Sequence, residues 1–283
     1  MAANKPPSDA TLAEIPEAAA TGSVAAIYAE LRKLSGAPVV ALIFRHLATH
    51  PGLLEQIWDS LAPLMQTGLL QETAWKITSE SVPADLIPSI NGDVRVAVGL
   101  ERETPQGVLN AIDAYNRVNP VNLLIMLSLL KRLELSSTSA KPIASRTWTP
   151  PQPISGALST MVRPVDIPLN LRQLINDMGF GDRSKLDSVV PSLFRHLAVE
   201  PGLLGLLHVV LTPKFRDGSL KAATDALYGK MRDAAGELAL HLRPMPLLAT
   251  LPAPADTIRT FTSTWIPLMT IVGTALRRSL TDR

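Results

Sequence analysis

The sequence predicts an all-α protein in which a tandem duplication of one helical unit folds as an intramolecular pseudo-two-fold dimer. Three observations carry that prediction. Phe44-Arg-His-Leu-Ala48, preceded by Val39-Val40 and followed by Pro51-Gly-Leu-Leu54, recurs as Phe194-Arg-His-Leu-Ala198 between Val189-Val190 and Pro201-Gly-Leu-Leu204. The offset is constant at 150 residues, and it continues without a gap: Leu61, Pro63, Gly68 and Leu70 match Leu211, Pro213, Gly218 and Leu220. Apolar residues fall at helical spacing, and no run of alternating β-branched residues suggests a sheet. Two copies are too few for a solenoid, so they are expected to bury a self-complementary surface against each other.

In the first unit, residues 25–34 place Ile27, Leu31 and Leu34 on one stripe and stop at Ser35-Gly36. Pro38 is expected to open the next helix, because proline is tolerated in a first turn. That helix carries Phe44-Arg-His-Leu-Ala and ends at a tight corner, Pro51-Gly52. Leu53, Leu54, Ile57, Leu61 and Leu64 then keep helical spacing. Residues 107–133 read as a further helical stretch, interrupted at Pro120. Asn119-Pro120 and its apolar helix face Ile266-Pro267 and theirs, now at an offset of 147.

Residues 136–168 hold Pro142, Pro150, Pro151, Pro153, Pro164 and Pro168, a density that stiffens the chain and excludes long helix. The expected organisation is an N-terminal helical unit (1–135), a surface strap (136–168) pinned by Trp148, and a C-terminal unit (169–283).

Composition removes several function classes. With 46% hydrophobic and 18% charged residues the chain has ample material for a core. A net charge of +2 and only twelve aromatic residues (five Phe, four Trp, three Tyr) leave neither basic stripe nor stacking platform for nucleic acid. No cysteine means no disulfide, thiolate nucleophile or thiolate-ligated metal. The first residues lack the apolar core of a signal peptide, and the apolar runs 121–130 and 265–276 fall short of the ~18 residues of a spanning helix. A cytoplasmic protein without membrane partners is expected.

Four polar constellations stand out. His46 and His50 are four apart on a helix, with His196 and Glu200 at the same spacing in the second copy. They read either as four ligands for one metal or as packing and corner residues; the glutamate of a zinc-protease helix is missing. Arg45 and Arg195 read as a clamp for a substrate carboxylate or as partners of helix-end carbonyls and acids. Asp187 and Ser188 stand where a helix should begin, which makes Asp187 an N-cap by default and a general base only if buried beside a ligand. Asn116, Asn119 and Asn122 put three amides on a helix that otherwise reads as buried, and the second copy replaces them with Ser263, Ile266 and Met269. That asymmetry hints at a polar site, although Asn119 before Pro120 also suits a helix cap. There is no phosphate-cradling Gly-rich loop and no Gly-x-Ser-x-Gly elbow; Gly179-Phe-Gly181 reads as a turn.

A duplicated helical chain with aromatic-Arg-x-Leu-Ala followed by Pro-x-x-Leu in each half resembles the group I (DehI-type) 2-haloacid dehalogenases over about residues 24–280. The resemblance implies an active site between the halves. There an aspartate activates water, which displaces halide from C2 of either enantiomer without a covalent ester. It also implies that Asn119 positions water or substrate, and that Phe44 and Leu47 line the pocket. Asn122, Ser192 and Leu193 complete the expected ligand-contacting set. The family's catalytic aspartate falls on Leu193, and the matching residue of the first copy, Ile43, is also apolar. Asp187, one turn earlier, is the remaining candidate base.

The expected function is hydrolytic dehalogenation of short 2-halocarboxylic acids, with Asn119 and Asp187 as the catalytic residues and no cofactor or metal. The alternative is a catalytically lapsed relative that binds a small apolar or carboxylate ligand between the repeats, which Leu193 and Ile43 favour. A redox bundle of the alkylhydroperoxidase type lacks its cysteine pair. The expected partner is a small molecule, and a homo-oligomer remains open.

Overall fold

The computed structural model describes residues 12–136, 139–180, 190–263 and 265–280, and among them every regular element is helical. The first half of the chain supplies α1 (Gly22–Ser35), α2 (Leu42–Leu47), α3 (Leu53–Gln66), α4 (Leu69–Ser81), α5 (Gly92–Ala97) and α6 (Gln106–Glu134). The second supplies α7 (Leu169–Ile175), α8 (Ser192–Leu197), α9 (Pro201–Arg216), α10 (Ser219–Ala239), α11 (Pro246–Thr250), α12 (Pro252–Ser263) and α13 (Trp265–Ser279). No described helix is long and apolar enough to cross a membrane.

The periodicity of the first half translates directly into burial. Ile27, Leu31 and Leu34 of α1 are buried, and Gly36 ends that helix at φ 64°, a left-handed conformation that favours glycine. Leu53, Leu54, Ile57, Leu61 and Leu64 of α3 form one fully buried stripe. Two expectations need correction. Pro38 does not open α2, which starts at Leu42; the Val40 N–H is held by the Glu17 carboxylate at 2.8 Å, which keeps the approach extended.

Nor does Pro120 interrupt α6, one continuous helix of 29 residues. An internal proline costs a helix about 3 kcal/mol. Here Val121, Leu123, Leu124 and Ile125 follow it almost completely buried, each contributing roughly 1.5–3 kcal/mol, so packing outweighs the lost hydrogen bond. Every residue from Pro120 through Leu129 is buried, as in a helix enclosed on all sides. α6 is that central helix: α4, α8, α10, α12 and α13 all pack on it, so elements of both halves share one core.

The proline-rich strap is tied down by its backbone. The Ile154 N–H donates to the Gly36 carbonyl at 3.0 Å, and the Ser159 N–H to the Gly107 carbonyl at 2.8 Å. Arg117 Nη1 donates to the carbonyls of both Gly36 and Gln152, and Asn110 Nδ2 to those of Ser155 and Ala157. Trp148 lies directly over Gly68, where any Cβ would overlap its indole ring.

Candidate functional site

The residues common to both copies are used in the same way. The Arg45 carbonyl accepts the Ile15 N–H at 3.0 Å, and the Arg195 carbonyl accepts the Val162 N–H at 3.1 Å. His46 Nδ1 lies 2.8 Å from the Ala13 carbonyl and His196 Nδ1 lies 2.6 Å from that of Ser159. A carbonyl only accepts, so each Nδ1 carries the proton. Each histidine therefore pins an extended arm along its own short helix.

Glu200 is engaged elsewhere, in a buried bidentate pair with Arg95 at 3.0 and 3.2 Å. His50 stands edge-on to the His46 ring, and burial followed by the His46 charge lowers its pKa. The four residues weighed as metal ligands thus do not come together as one set. No group of three His, Cys, Asp or Glu comes together among the described residues.

Where α6 meets α8 and α13, the sequence brings an amide and a leucine together. Asn116 Nδ2 donates to the Gly273 carbonyl at 3.0 Å, while its Oδ1 is buried with no hydrogen-bond partner. A Cβ on Gly273 would stand 2.5 Å from that Oδ1 and 3.4 Å from Leu193 Cδ2. Glycine is therefore required for the close approach, and Leu193, 1% exposed, packs beside the Asn116 amide. A buried acceptor left unpaired costs about 1–3 kcal/mol, so this corner is polar on one wall and apolar on the other.

The next residues along both helices build a charged rim. Tyr115, half-buried, sets its ring 5.7 Å from that of His196, and the Ser192 hydroxyl acts on its phenol. Burial pushes the Tyr115 pKa up, against the lowering influence of Ser192, Arg195 and Arg45. Arg195 Nε donates to the Val162 carbonyl at 2.9 Å. Burial pulls the Arg195 pKa down; Tyr115 opposes that shift and the Arg45 charge adds to it. His196 is likewise lowered by burial first, with its bond to Ser159 acting the other way. Arg45 Nε lies 3.0 Å from Glu14 Oε2, but neither atom is aligned for a hydrogen bond. Burial also pushes the Tyr28 phenol up to about 12, against the lowering influence of Arg45.

A second polar spot lies on the opposite flank of α6. Asn122, 6% exposed, makes no hydrogen bond to a described residue and lines a cavity of about 20 Å³ with Ala41, Phe44, Met65, Val118 and Ile125. That volume suits one water-sized guest.

The structure therefore joins Phe44 with Asn122, and Ser192 and Leu193 with Tyr115 and Asn116. Leu47 is fully buried in the core. Asn119 is half-buried in α6, caps no helix and lines neither spot. Asp187 lies outside the described residues. Tyr115, Glu14 and Gly273 were not singled out from sequence. Tyr115 was within reach, since it adjoins the amide series and faces a helix recurring in both copies.

Solved structures share this whole architecture. A D-2-haloacid dehalogenase in complex with L-LA aligns over 96% of both chains, with a TM-score of 0.72 and 17% identity. The chain has the D-2-haloacid dehalogenase fold. A mutant D-2-haloacid dehalogenase matches at 0.71 with 18% identity over 95% of each chain. Another mutant, in complex with D-2-CPA, matches at 0.69 with 19% identity over 96% of this chain and 95% of its own. No family profile and no curated protein sequence matches the chain. At such identities the likeness establishes the fold alone.

Proposed function

We propose that this chain binds a short carboxylic acid in the junction between its two halves and does not hydrolyse carbon–halogen bonds there. One observation carries the reading: Leu193, at the position the dehalogenase resemblance assigns to the water-activating aspartate, is buried and apolar against the Asn116 amide. Displacement of halide by water needs a base within hydrogen-bond reach of that water, and a leucine accepts no proton. Asn116 Oδ1, buried without a partner, argues for a bound polar molecule, since such an acceptor costs about 1–3 kcal/mol unpaired. Proteins of this fold are known in complex with L-LA and D-2-CPA, and we carry a small ligand of that kind over to this chain.

Calorimetric titration of the full chain with D- and L-2-chloropropionate tests the reading. Saturable binding of at least one enantiomer is expected; a folded protein that binds neither would overturn it. A second reading, hydrolytic dehalogenation with Asp187 as base and Asn119 orienting water, draws support from the likeness to D-2-haloacid dehalogenases. Halide release separates the two.

A further inference from the structure

The two arms pinned by His46 and His196 differ in one respect that bears on ligand chemistry. Between its anchors Ala13 and Ile15, the first arm carries Glu14, whose carboxylate lies 3.0 Å from Arg45. Between Ser159 and Val162, the second arm carries Thr160 and Met161, neither of which has a charge. Arg195 consequently has a single backbone carbonyl on its Nε, and its two terminal nitrogens bond to no described residue. Glu17, the next acid of the first arm, is taken up by Arg32 and the Val40 N–H.

Arg45 and Arg195 both act electrostatically on the Tyr115 phenol, and Arg45 acts on Arg195 by repulsion. Among the described residues, Arg45, Arg195 and Glu14 thus bring two half-buried positive charges and one negative to the rim. Guanidinium presents its donors as a planar fork that fits a carboxylate with two parallel bonds. A fork with no protein partner beside a second cation is open to a ligand carboxylate, which would fill it and offset the repulsion.

Building on the binding reading above, we propose that Arg195, assisted by Arg45 and the hydroxyls of Tyr115 and Ser192, grips the carboxylate of a small monocarboxylic acid, and that Glu14 is the built-in competitor for that site. The acid seats its carboxylate at the rim, with its C2 substituent towards Leu193 and Asn116. Ser192 and Arg195 stand three apart on α8, on the face that meets Tyr115, which puts the hydroxyl and the fork side by side.

Titration of 2-chloropropionate against 2-chloropropionamide, its uncharged counterpart, tests the assignment on the full chain. The acid is expected to bind and the amide to fail. Arg195→Gln should weaken the acid by roughly tenfold or more, the size of a lost charge-assisted hydrogen bond, with Arg195→Lys in between. Glu14→Gln should tighten it by about two- to fivefold, since a partly exposed ion pair competes weakly. Glu14 sits on a half-exposed arm, so this variant carries the test even if Arg195→Gln does not fold. Equal binding of acid and amide, or acid binding indifferent to both Arg195→Gln and Glu14→Gln, would overturn the arginine site while leaving the binding reading standing. Failure of the unaltered chain to bind the acid would overturn both.

Discussion

Residues 44–54 and 194–204 share nine of eleven letters, differing only at Thr49/Val199 and His50/Glu200, yet the chain leaves the two short helices differently. In the first copy Gly52 turns left-handed at φ 75° before α3 begins at Leu53. In the second, Pro201 opens α9 and Gly202 lies inside it. Surroundings explain the divergence. Gly202 is pressed under the Val98 carbonyl and the Leu100 side chain, and Glu200 is locked to Arg95 of α5; Gly52 meets only the tip of Leu247. Shared letters encode packing and the pinning of an arm, whereas polar roles are set by what each copy faces.

Breaking the buried pair at position 200 is the largest expected effect. Glu200→Ala should cost about 3–5 kcal/mol, because it strands the Arg95 guanidinium away from water. His50→Ala, at the matching position of the first copy, should cost about 1 kcal/mol or less, as it removes an edge contact near the surface. Urea unfolding of the two variants measures the difference, and equal losses would contradict the contrast drawn between the copies.

The corner glycines sharpen the same comparison. Gly68 (φ 74°) and Gly218 (φ 83°) both need the left-handed conformation, so alanine costs each about 1–2 kcal/mol. Only Gly68 lies under Trp148, while nothing crowds Gly218. Gly68→Ala should therefore be the more damaging by thermal or urea unfolding. In a Trp148→Ala background its penalty should fall to that of Gly218→Ala.

A smaller effect concerns acid. The pKa of His196 is lowered in the folded chain below its ordinary 6.5, so the unfolded chain takes up the proton first. Its contribution to stability is intact above pH 6.5 and is lost as the pH falls through that value towards the lowered one. His196→Asn, which keeps a donor for the Ser159 carbonyl, should flatten the decline in stability as the pH falls from neutral through 6.5. An unchanged slope would show that this histidine is not desolvated as described.

Much of this was legible in the sequence. The stripe Leu53 to Leu64, the stop at Gly36 and the corner at Gly52 follow from spacing and from glycine's conformational freedom, whereas Gly68 and Gly218 stand out in the sequence only as a repeated pair. Pro120 was misread because propensity is local, while the burial that overrides it comes from α4, α10 and α13, remote in sequence. The site was legible only in outline. Adjacent residues on one helix face different partners: Asn116 meets Gly273 of α13 and Tyr115 meets His196 of α8, and only the packed structure assigns them. Asn119, between Asn116 and Asn122 on the helix, stands out through the amide series and the dehalogenase resemblance and not through where it faces. The contrast between Glu14 and Thr160-Met161 needed the arm geometry before its charge imbalance had meaning.

In the proposed reading a buried Leu193 stands where the dehalogenase resemblance puts the water-activating aspartate, so no carbon–halogen bond is hydrolysed. Halide release from D- and L-2-chloropropionate and 2-bromopropionate by the folded, full-length chain tests it most directly. No release above buffer is expected from either enantiomer. Release that disappears in Asp187→Asn would contradict it and give the catalytic role to Asp187.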